Sequence, residues 1–234
     1  EEFLARLDGD SARFLMESSA CDGFTAEHLD EVLERNDSAV RLGMLIAAGD
    51  LLLIPPEEGG DTFRYHRLFG DVLRRRLRAC APQRYREIAA RRADVLAREG
   101  DVDGALVQAL DAGDRARAAA LVNSEAVRLA FDGRAGVLAR RLAMLDSRTF
   151  TDCPDAAVAR AWYGVTVADA ATIQRSLLLA QRADRGDALS DGTPSVAVSA
   201  ALIGSLVGRG GVADVLRQSE IVRNSCDSLA NPWW

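Results

Sequence analysis

The sequence predicts a mainly α-helical fold with one small β-hairpin towards its N-terminal end. Apolar residues recur at helical spacing along most of the 234 positions. Pairs such as Gly100-Asp101 and Gly113-Asp114 provide the residue types that end one helix and cap the next. Only the stretch 51–65 combines strand residues with a turn rich in Pro and Gly. We therefore expect short helices, one hairpin, and then helices only.

Residues 1–80 are expected to form the first domain. Three apolar stripes in this segment each follow a residue whose side-chain oxygen can cap a helix. The hairpin has strands at 51–54 and 63–65 around a turn at 55–61, and a helix over 66–79 leaves it. Three helices followed by a hairpin is the winged-helix arrangement. The expected caps are Asp10 or Ser11 for the first helix, Thr25 for the second, and Asp37 or Ser38 for the third.

The remaining chain is expected to form a helical superhelix. Residues 81–153 are its start, and two helical hairpins follow within 154–234, at roughly 154–185 and 195–229. These hairpins begin about 40 residues apart, a period typical of solenoids, whose units bury their apolar faces against their neighbours. Because the chain stops at Pro232-Trp233-Trp234, which would expose a large apolar area, we expect the repeats to be truncated there.

Composition excludes several function classes. All 29 basic residues are Arg, so the chain lacks the Lys that a P-loop or a Schiff-base enzyme needs. No apolar run approaches the length of a membrane-spanning helix, and the N-terminal segment lacks the features of a signal peptide. We expect a cytoplasmic protein with no membrane partner.

Catalytic and metal sites are not expected. The four cysteines lie far apart without metal-ligand spacing, so reduced, buried thiols are the expected state. Only His28 and His66 could join a zinc site. Cys21 and His28 could form a nucleophile and base, but no oxyanion-binding motif accompanies them. The glycines at 208–211 follow no strand, which argues against a dinucleotide-binding loop.

Charge is unevenly distributed along the chain. Residues 1–63 carry 15 acidic and 4 basic groups, whereas residues 64–98 carry 3 acidic and 11 basic groups. A basic face that includes Arg74, Arg75, Arg78, Arg91 and Arg92 would suggest nucleic-acid binding. The third helix, which reads bases in DNA-binding winged helices, instead offers mainly apolar residues and a lone Arg41. We therefore expect this helix to pack against another domain; its apolar residues are Val40, Leu42, Met44, Leu45 and Ile46.

A resemblance to a known family rests on residues 63–77. This segment, FRYHRLFGDVLRRRL, resembles the YRYHxLFxxxLRxxL signature that follows the ATPase core of the large ATP-dependent LuxR-family regulators of the maltose-activator type, in the STAND class. Residues 12–22 and 97–114 are also similar to that family, and residues 154–162 resemble the start of its tetratricopeptide-like (TPR-like) repeats. The chain departs from the pattern at Gln108, where the family has His, and at Gly70, where it usually has Ala.

The resemblance implies an architecture. In that family an upstream nucleotide-binding domain precedes the winged helix, a TPR-like superhelix binds a small-molecule inducer or a protein partner, and a C-terminal helix-turn-helix binds DNA. The chain would hold only the two middle parts, so ATP or ADP would belong to the full-length protein. The resemblance also implies that His66, assisted by Arg64 and Arg67, contacts the phosphates of ADP on the upstream domain. Alternatively, His66 has only a structural role as the cap of the helix that follows it. The alternative for Arg64 and Arg67 is that they pair with acidic residues on the surface of the missing nucleotide-binding core.

Three functions remain open from the sequence. The first is a regulatory segment that couples sensing on the superhelix, with Arg160, Trp162 and Tyr163 as candidate surface residues, to the nucleotide state of the upstream domain. Trp162 is also a candidate core residue of a repeat. The second is an interaction module downstream of a bacterial serine/threonine kinase. The third is direct DNA binding by the winged helix.

Overall fold

The computed structural model describes residues 9–47, 53–54, 61–208 and 210–226. The chain divides into two compact units, Glu1–Gly113 and Asp114–Trp234. Thirteen helices and one two-stranded antiparallel sheet lie in the described residues. The predicted mainly helical class with a single hairpin is therefore confirmed, whereas the domain boundaries near residues 80 and 153 remain predictions.

The described residues of the first unit form six helices and the hairpin. Its helices are α1 (Gly9–Ser18), α2 (Ala26–Leu33), α3 (Ser38–Ala47), α4 (Arg67–Cys80), α5 (Pro82–Arg98) and α6 (Val102–Ala112), and its strands are β1 (Leu53–Ile54) and β2 (Arg64–Tyr65). Leu53 pairs with Tyr65 and Ile54 pairs with Arg64. The predicted strand residues 51–52 and turn residues 55–60 lie outside the described residues.

Local chemistry explains where the helices of this unit begin. The Thr25 hydroxyl accepts a hydrogen bond from the His28 N–H at 3.1 Å, and Asp101 caps α6 by accepting from the Gly104 N–H at 2.9 Å. α5 begins with Pro82, whose fixed backbone angle suits the first position of a helix. α3 begins at Ser38, where the sequence predicts its start, and the Ser38 N–H donates to Oδ1 of Asp30 in α2 at 3.0 Å.

The core of the first unit combines the three N-terminal helices with the hairpin and the long helices α4 and α5. Each of these helices contributes a fully buried side chain, whereas the hairpin contributes Leu53 and Tyr65, which are 7% and 8% exposed. An isolated bridge between Phe24 and Phe63 adds a further backbone connection, with N···O distances of 3.1 and 2.8 Å. The largest fully buried side chains of this core are Phe14, Phe24, Leu29, Val32, Leu42, Leu73 and Ile88.

The second unit is helical throughout its described residues. Carboxylates or hydroxyls of Asp114, Asp146, Asp169 and Ser195 cap four of its helices, as their side chains accept from backbone N–H groups one turn later. The helices are α7 (Arg115–Phe131), α8 (Ala135–Met144), α9 (Ser147–Asp152), α10 (Pro154–Thr166), α11 (Ala170–Ala183), α12 (Val196–Val207) and α13 (Val212–Cys226). The two predicted helical hairpins correspond to α10–α11 and α12–α13.

Many of the second unit's buried positions are alanines. Ala118, Ala126, Ala157 and Ala161 are all fully buried, so neighbouring helices approach closely along these stripes. Among the described helices of the whole chain, none has the length and apolar character needed to cross a membrane.

Candidate functional site

The junction between β2 and α4 is anchored by Tyr65. Its ring packs 5.5 Å from Phe24 and 6.1 Å from Phe69, measured between centroids. Its hydroxyl lies 2.6 Å from Ser18 Oγ, which itself donates to the Phe14 carbonyl at 2.6 Å. Burial raises the pKa of Tyr65 well above its usual range. A neutral, hydrogen-bonded Tyr65 thus fixes the strand that leads directly into His66.

Gly70 allows α4 to lie against this anchor. A Cβ at Gly70 would lie 3.2 Å from the Tyr65 Cβ, which is tighter than an ordinary van der Waals contact. The departure from the family pattern noted at this position therefore coincides with a close approach between the helix and the strand. The cost is the lower helix propensity of glycine, about 1 kcal/mol relative to alanine.

His66 lies at the exposed N-cap position of α4. Its side chain makes no capping hydrogen bond, while its carbonyl accepts from the Gly70 N–H at 2.9 Å. Arg64 and Arg67 are also exposed, and none of the three forms an ion pair within the described residues. The first turn of α4 carries no acidic residue, so its free N–H groups and partial positive charge are not offset locally. These features suit an anion chemically, and the ADP-phosphate role stays a prediction.

α3 presents an apolar surface to solvent. Val40 is 59% exposed and Met44, one turn later, is 66% exposed; we name these two residues the outward α3 surface. Ile46 is 40% exposed, but it lies one turn after Leu42, on the other side of the helix. Leu42, at 1% exposed, and the half-buried Leu45 pack into the core instead. The sequence-based expectation that all five apolar residues face another domain is therefore wrong for Leu42 and Leu45, which complete the three-helix core.

Charged side chains hold α3 at its N-terminal end. Asp37 pairs with Arg35 at 2.8 Å and with Arg41 at 2.7 Å, and Arg41 also pairs with Asp10. The hydrogen bonds from Arg35 and Arg41 hold the pKa of the Asp37 carboxyl well below its usual range. The lone arginine of this helix is thus engaged in fixing the helix and is not directed towards bases.

The arginines of α4 and α5 bind acidic groups of the N-terminal helices. Arg84 makes a bidentate contact with Glu17, through Nε at 3.2 Å and Nη2 at 3.0 Å, and also donates to the Leu33 carbonyl. Arg74 binds Asp22 and the Ser19 carbonyl. Three further arginines follow the same pattern: Arg91 pairs with Glu34, Arg98 with Glu31, and Arg78 with Asp111 at the end of the unit. Four of the eleven basic groups of residues 64–98 thus pair with acidic groups of residues 1–63 inside one unit.

Arg92 is a correction to the expected basic face. It is 8% exposed, and its Nη2 donates to the Gly23 carbonyl at 2.8 Å. Of the five arginines predicted to share that face, Arg75 alone is confined to its own helix, where it donates to the Asp71 carbonyl. The sequence contained the signal for this network in its complementary charge blocks, but not the pairing, which depends on how the helices pack.

The remaining sequence candidates have structural partners. Burial raises the pKa of the Cys21 thiol to about 11, which disfavours a reactive thiolate. His28 Nε2 lies 2.6 Å from Glu99 Oε1. Trp162 is buried with its ring 6.0 Å from Phe131. No group of three or more metal-ligating side chains occurs within the described residues.

Arg160 is a partly buried cation in the second unit. Its guanidinium lies 4.2 Å from the Phe150 ring centroid, and its Nε donates to Ser176 Oγ at 2.9 Å. Burial lowers its pKa, with a smaller contribution from Arg175. Tyr163 is half-buried. The candidate ligand surface is therefore not formed by Trp162, while Arg160 and Tyr163 remain partly accessible.

Comparison with known proteins supports the resemblance. The family model described as the MalT winged helix domain matches residues 1–85. The chain is also 25% identical over 162 residues to the HTH-type transcriptional regulator MalT of Vibrio parahaemolyticus serotype O3:K6 (strain RIMD 2210633). The predicted resemblance to maltose-activator-type LuxR regulators is confirmed, and the α1–α3 and β1–β2 elements form the winged-helix region.

The similarity is partial in length. The aligned region covers 69% of the chain and 18% of the Vibrio protein. The alignment therefore shows that the two proteins share one region. The activity of the whole Vibrio protein cannot be assigned to the chain on this basis.

Proposed function

We propose that the chain, which has a MalT-type winged-helix region at residues 1–85, is the regulatory segment of an ATP-dependent LuxR-type transcriptional regulator. In this proposal the winged helix docks on a nucleotide-binding domain, and the helical region beyond it receives an inducer or a protein partner. The observation that carries the proposal is the outward α3 surface. Val40 and Met44 are 59% and 66% exposed on the side of α3 that faces away from the buried Leu42.

Docking explains why this helix is apolar on both sides. A helix that only covers a core needs one apolar stripe, which Leu42 and Leu45 supply. A second stripe exposed to water favours association with another apolar surface. The same helix has a single arginine, already paired with Asp37 and Asp10, so it lacks the side chains that read bases.

The exposed group of Arg64, His66 and Arg67 would then face the nucleotide. Its positive charges and the free N–H groups of α4 are suited to the phosphates of ADP. In such an arrangement the docked winged helix is one of two states, and a ligand on the helical region changes the balance only by binding one state more tightly.

The test uses the full-length natural protein loaded with a fluorescent ADP analogue. We expect His66→Ala and Met44→Glu each to accelerate ADP release by about tenfold, the effect of losing about 1.4 kcal/mol of differential stabilisation. The control is Leu178→Glu, because Leu178 is also an exposed apolar residue, 47% exposed on α11. Release rates equal to the wild type in both winged-helix variants would refute the docking proposal.

The alternatives predict different results. Direct DNA binding requires tight association of the 234-residue chain with duplex DNA that weakens steeply with salt. The pairing of Arg74, Arg84, Arg91 and Arg98 with carboxylates argues against it. For the kinase-associated module the chain offers no specific supporting contact, and the similar Vibrio protein is a transcriptional regulator by name.

A further inference from the structure

α10 packs against five other helices of the second unit, and only a narrow strip of it reaches solvent. Its neighbours are α7, α8, α9, α11 and α12. Of residues 156–164, seven are buried and the other two, Arg160 and Tyr163, are half-buried. Because Arg160 and Tyr163 are three residues apart, they lie on the same face of the helix. The accessible strip of this central helix is therefore polar.

Two neighbouring helices hold the guanidinium of Arg160 in place. It lies 4.2 Å from the centroid of the Phe150 ring on α9, and its Nε donates to Ser176 Oγ on α11 at 2.9 Å. Phe150 is 9% exposed and Ser176 is fully buried, so both contacts belong to packed parts of these helices. A side chain that is already fixed loses less conformational entropy when it binds a ligand.

The two terminal nitrogens of Arg160, Nη1 and Nη2, are available to a ligand. Neither has a hydrogen-bond partner among the described residues, and neither is a buried unpaired atom, so both are accessible to solvent. The guanidinium presents these two nitrogens as a planar fork that matches two oxygens of one anion. The free edge of Arg160 is thus the edge that can make a bidentate contact.

Arg160 also lacks a counter-charge, since it forms no ion pair within the described residues. Burial lowers the pKa of Arg160, and the like charge of Arg175, the residue before Ser176 on α11, lowers it further. Arg175 is exposed, and its Nε donates to the Ala171 carbonyl at 3.3 Å rather than to a carboxylate. Two neighbouring cations without a carboxylate create a positive potential that favours an anion.

Arg78 of the first unit shows how the chain neutralises such an arginine elsewhere. Its guanidinium lies 4.4 Å from the Tyr85 ring centroid, which resembles the position of Arg160 on Phe150. Arg78 also pairs with Asp111 at 2.8 Å. Because Arg160 has no equivalent carboxylate in the part of the chain that the structure describes, an anion from outside would take the place that Asp111 has beside Arg78.

The charge of the site indicates the class of anion. Two cations suit a ligand with two negative charges, and a phosphate monoester carries about −1.5 to −2 at pH 7 on oxygens that accept hydrogen bonds strongly. Tyr163 adds a hydroxyl that makes no hydrogen bond within the described residues and can donate to a further oxygen. Since buried residues border the strip, a small molecule fits it better than a phosphorylated segment of another protein.

We propose that Arg160, together with Arg175 and Tyr163, binds the phosphate group of a small phosphate monoester. Arg160 donates from Nη1 and Nη2 to two phosphate oxygens, and Arg175 contributes the second positive charge. The site joins α9, α10 and α11, so bound ligand would stabilise the packing of these helices. Its regulatory meaning rests on the function proposed above, whereas binding to the chain does not depend on docking of the winged helix.

Isothermal titration calorimetry of the 234-residue chain without nucleotide tests the proposal, so its outcome is separate from that of the ADP-release assay. We expect phenyl phosphate to bind at low salt with a Kd below about 1 mM. Dimethyl phosphate, which carries a single negative charge, should bind at least about tenfold more weakly. A short peptide with one phosphoserine should bind no more tightly than phenyl phosphate.

Three variants assign the binding to this site. Arg175→Met should raise the Kd of phenyl phosphate at least about threefold and leave the melting temperature unchanged, because Arg175 is exposed. Arg160→Met should raise the Kd at least about tenfold. Arg160→Lys, which keeps the charge but loses the planar fork, should restore only part of the affinity. The matched control is Arg140→Met, at an exposed arginine of α8, which should leave the Kd unchanged.

Several results would overturn the proposal. They are a Kd for phenyl phosphate above about 10 mM, wild-type affinity in both Arg175→Met and Arg160→Lys, and an equal loss of affinity in Arg140→Met and Arg175→Met. Equal binding of dimethyl phosphate would contradict a site for a dianion. Tighter binding of the phosphoserine peptide would overturn the assignment to a small molecule.

Discussion

Two regions of the first unit can be compared: the interface that α1 and α2 form with α5, and the outward α3 surface. They differ in whether their side chains find partners within the unit. At the interface, Glu17 meets Arg84 and Glu34 meets Arg91, so charges that are separated by dozens of residues in the sequence neutralise one another. On the outward α3 surface, Val40 and Met44 remain 59% and 66% exposed, although they lie only four residues apart in the sequence. In this unit the blocks of opposite charge in the sequence indicate contacts between packed helices. The short apolar pattern of α3 indicates a surface that can contact another molecule.

This comparison predicts where substitutions change stability and where they change association. Groups of the interface should affect unfolding of the first unit and have little effect on docking. Groups of the outward α3 surface should show the reverse. Substitutions on the two sides of α3 test most directly whether a residue affects stability or association. Substitutions in a buried and in an exposed ion pair provide a second comparison.

The largest expected effect is that of Leu42→Ala. Leu42 is 1% exposed, and removing a fully buried leucine side chain costs about 3 kcal/mol through lost burial and a residual cavity. Met44→Ala, two residues away but 66% exposed, should change the free energy of unfolding by less than about 0.5 kcal/mol. Urea unfolding followed by circular dichroism, with hydrogen exchange of peptides from α3, measures both.

The two variants should also differ in the assay of ADP release. Met44→Ala should weaken the retention of ADP in the full-length protein without destabilising the chain. Equal destabilisation by Leu42→Ala and Met44→Ala would mean that α3 has no free face, and the comparison between the two regions would fail.

Next in size is Glu17→Ala, which removes both contacts to Arg84. We expect a loss of about 2 kcal/mol, because Glu17 is buried and Arg84 would retain only its bond to the Leu33 carbonyl and its longer contact with Glu87 at 3.7 Å. The control is Glu31→Ala, since Glu31 and Arg98 are both more than half exposed and such pairs contribute about 0.5 kcal/mol or less. Differential scanning calorimetry at low and high salt distinguishes them, and equal losses would contradict the assignment of Glu17 to the packed interface.

The sequence alone predicted the elements of the fold better than their partners. The caps at Thr25, Asp101 and Asp114 are confirmed, because a cap depends on residues only three positions apart. The start of α3 at Ser38 also agrees with the prediction, but the hydrogen bond from its N–H to Asp30 joins two helices and was not predicted. The exposure of side chains also depends on tertiary packing, which the sequence does not show directly. In α3, Leu42 is buried and Met44 is exposed because the other helices pack against only one side of it.

The candidate site was predictable to a similar extent. The resemblance over residues 63–77 located His66 at a strand–helix junction, and the structure places it there, exposed. The basic band was predicted as a surface, yet Arg92 is buried. The surroundings of Arg160 include Phe150 and Ser176, which lie on two other helices, and no local pattern indicates such a convergence.

A smaller effect is expected from Tyr65→Phe. The variant loses the 2.6 Å hydrogen bond to Ser18, which keeps its own bond to the Phe14 carbonyl, so we expect a loss of about 1 kcal/mol. For a chain of this size that loss lowers the melting temperature by about 2–4 °C. Tyr163→Phe, at a half-buried tyrosine of the second unit, is the control. An unchanged melting temperature would show that the ring contacts with Phe24 and Phe69 alone anchor the junction.

The smallest expected effect is the pH dependence of stability that Asp37 contributes. Asp37 directly precedes α3 and holds it through ion pairs. The pKa of Asp37 is lowered in the folded chain by its hydrogen bonds to Arg35 and Arg41, so its stabilising contribution is present above the unfolded pKa, about 4. The contribution is lost as the pH falls from there towards the lower folded value. Asp37→Asn should therefore be less stable than the wild type at pH 6 and should converge with it as the pH is lowered through this range. Hydrogen exchange of α3 peptides at several pH values measures this, with Asp61→Asn as an exposed control; a difference that persists unchanged at low pH would show that the ionised Asp37 does not hold α3 in place.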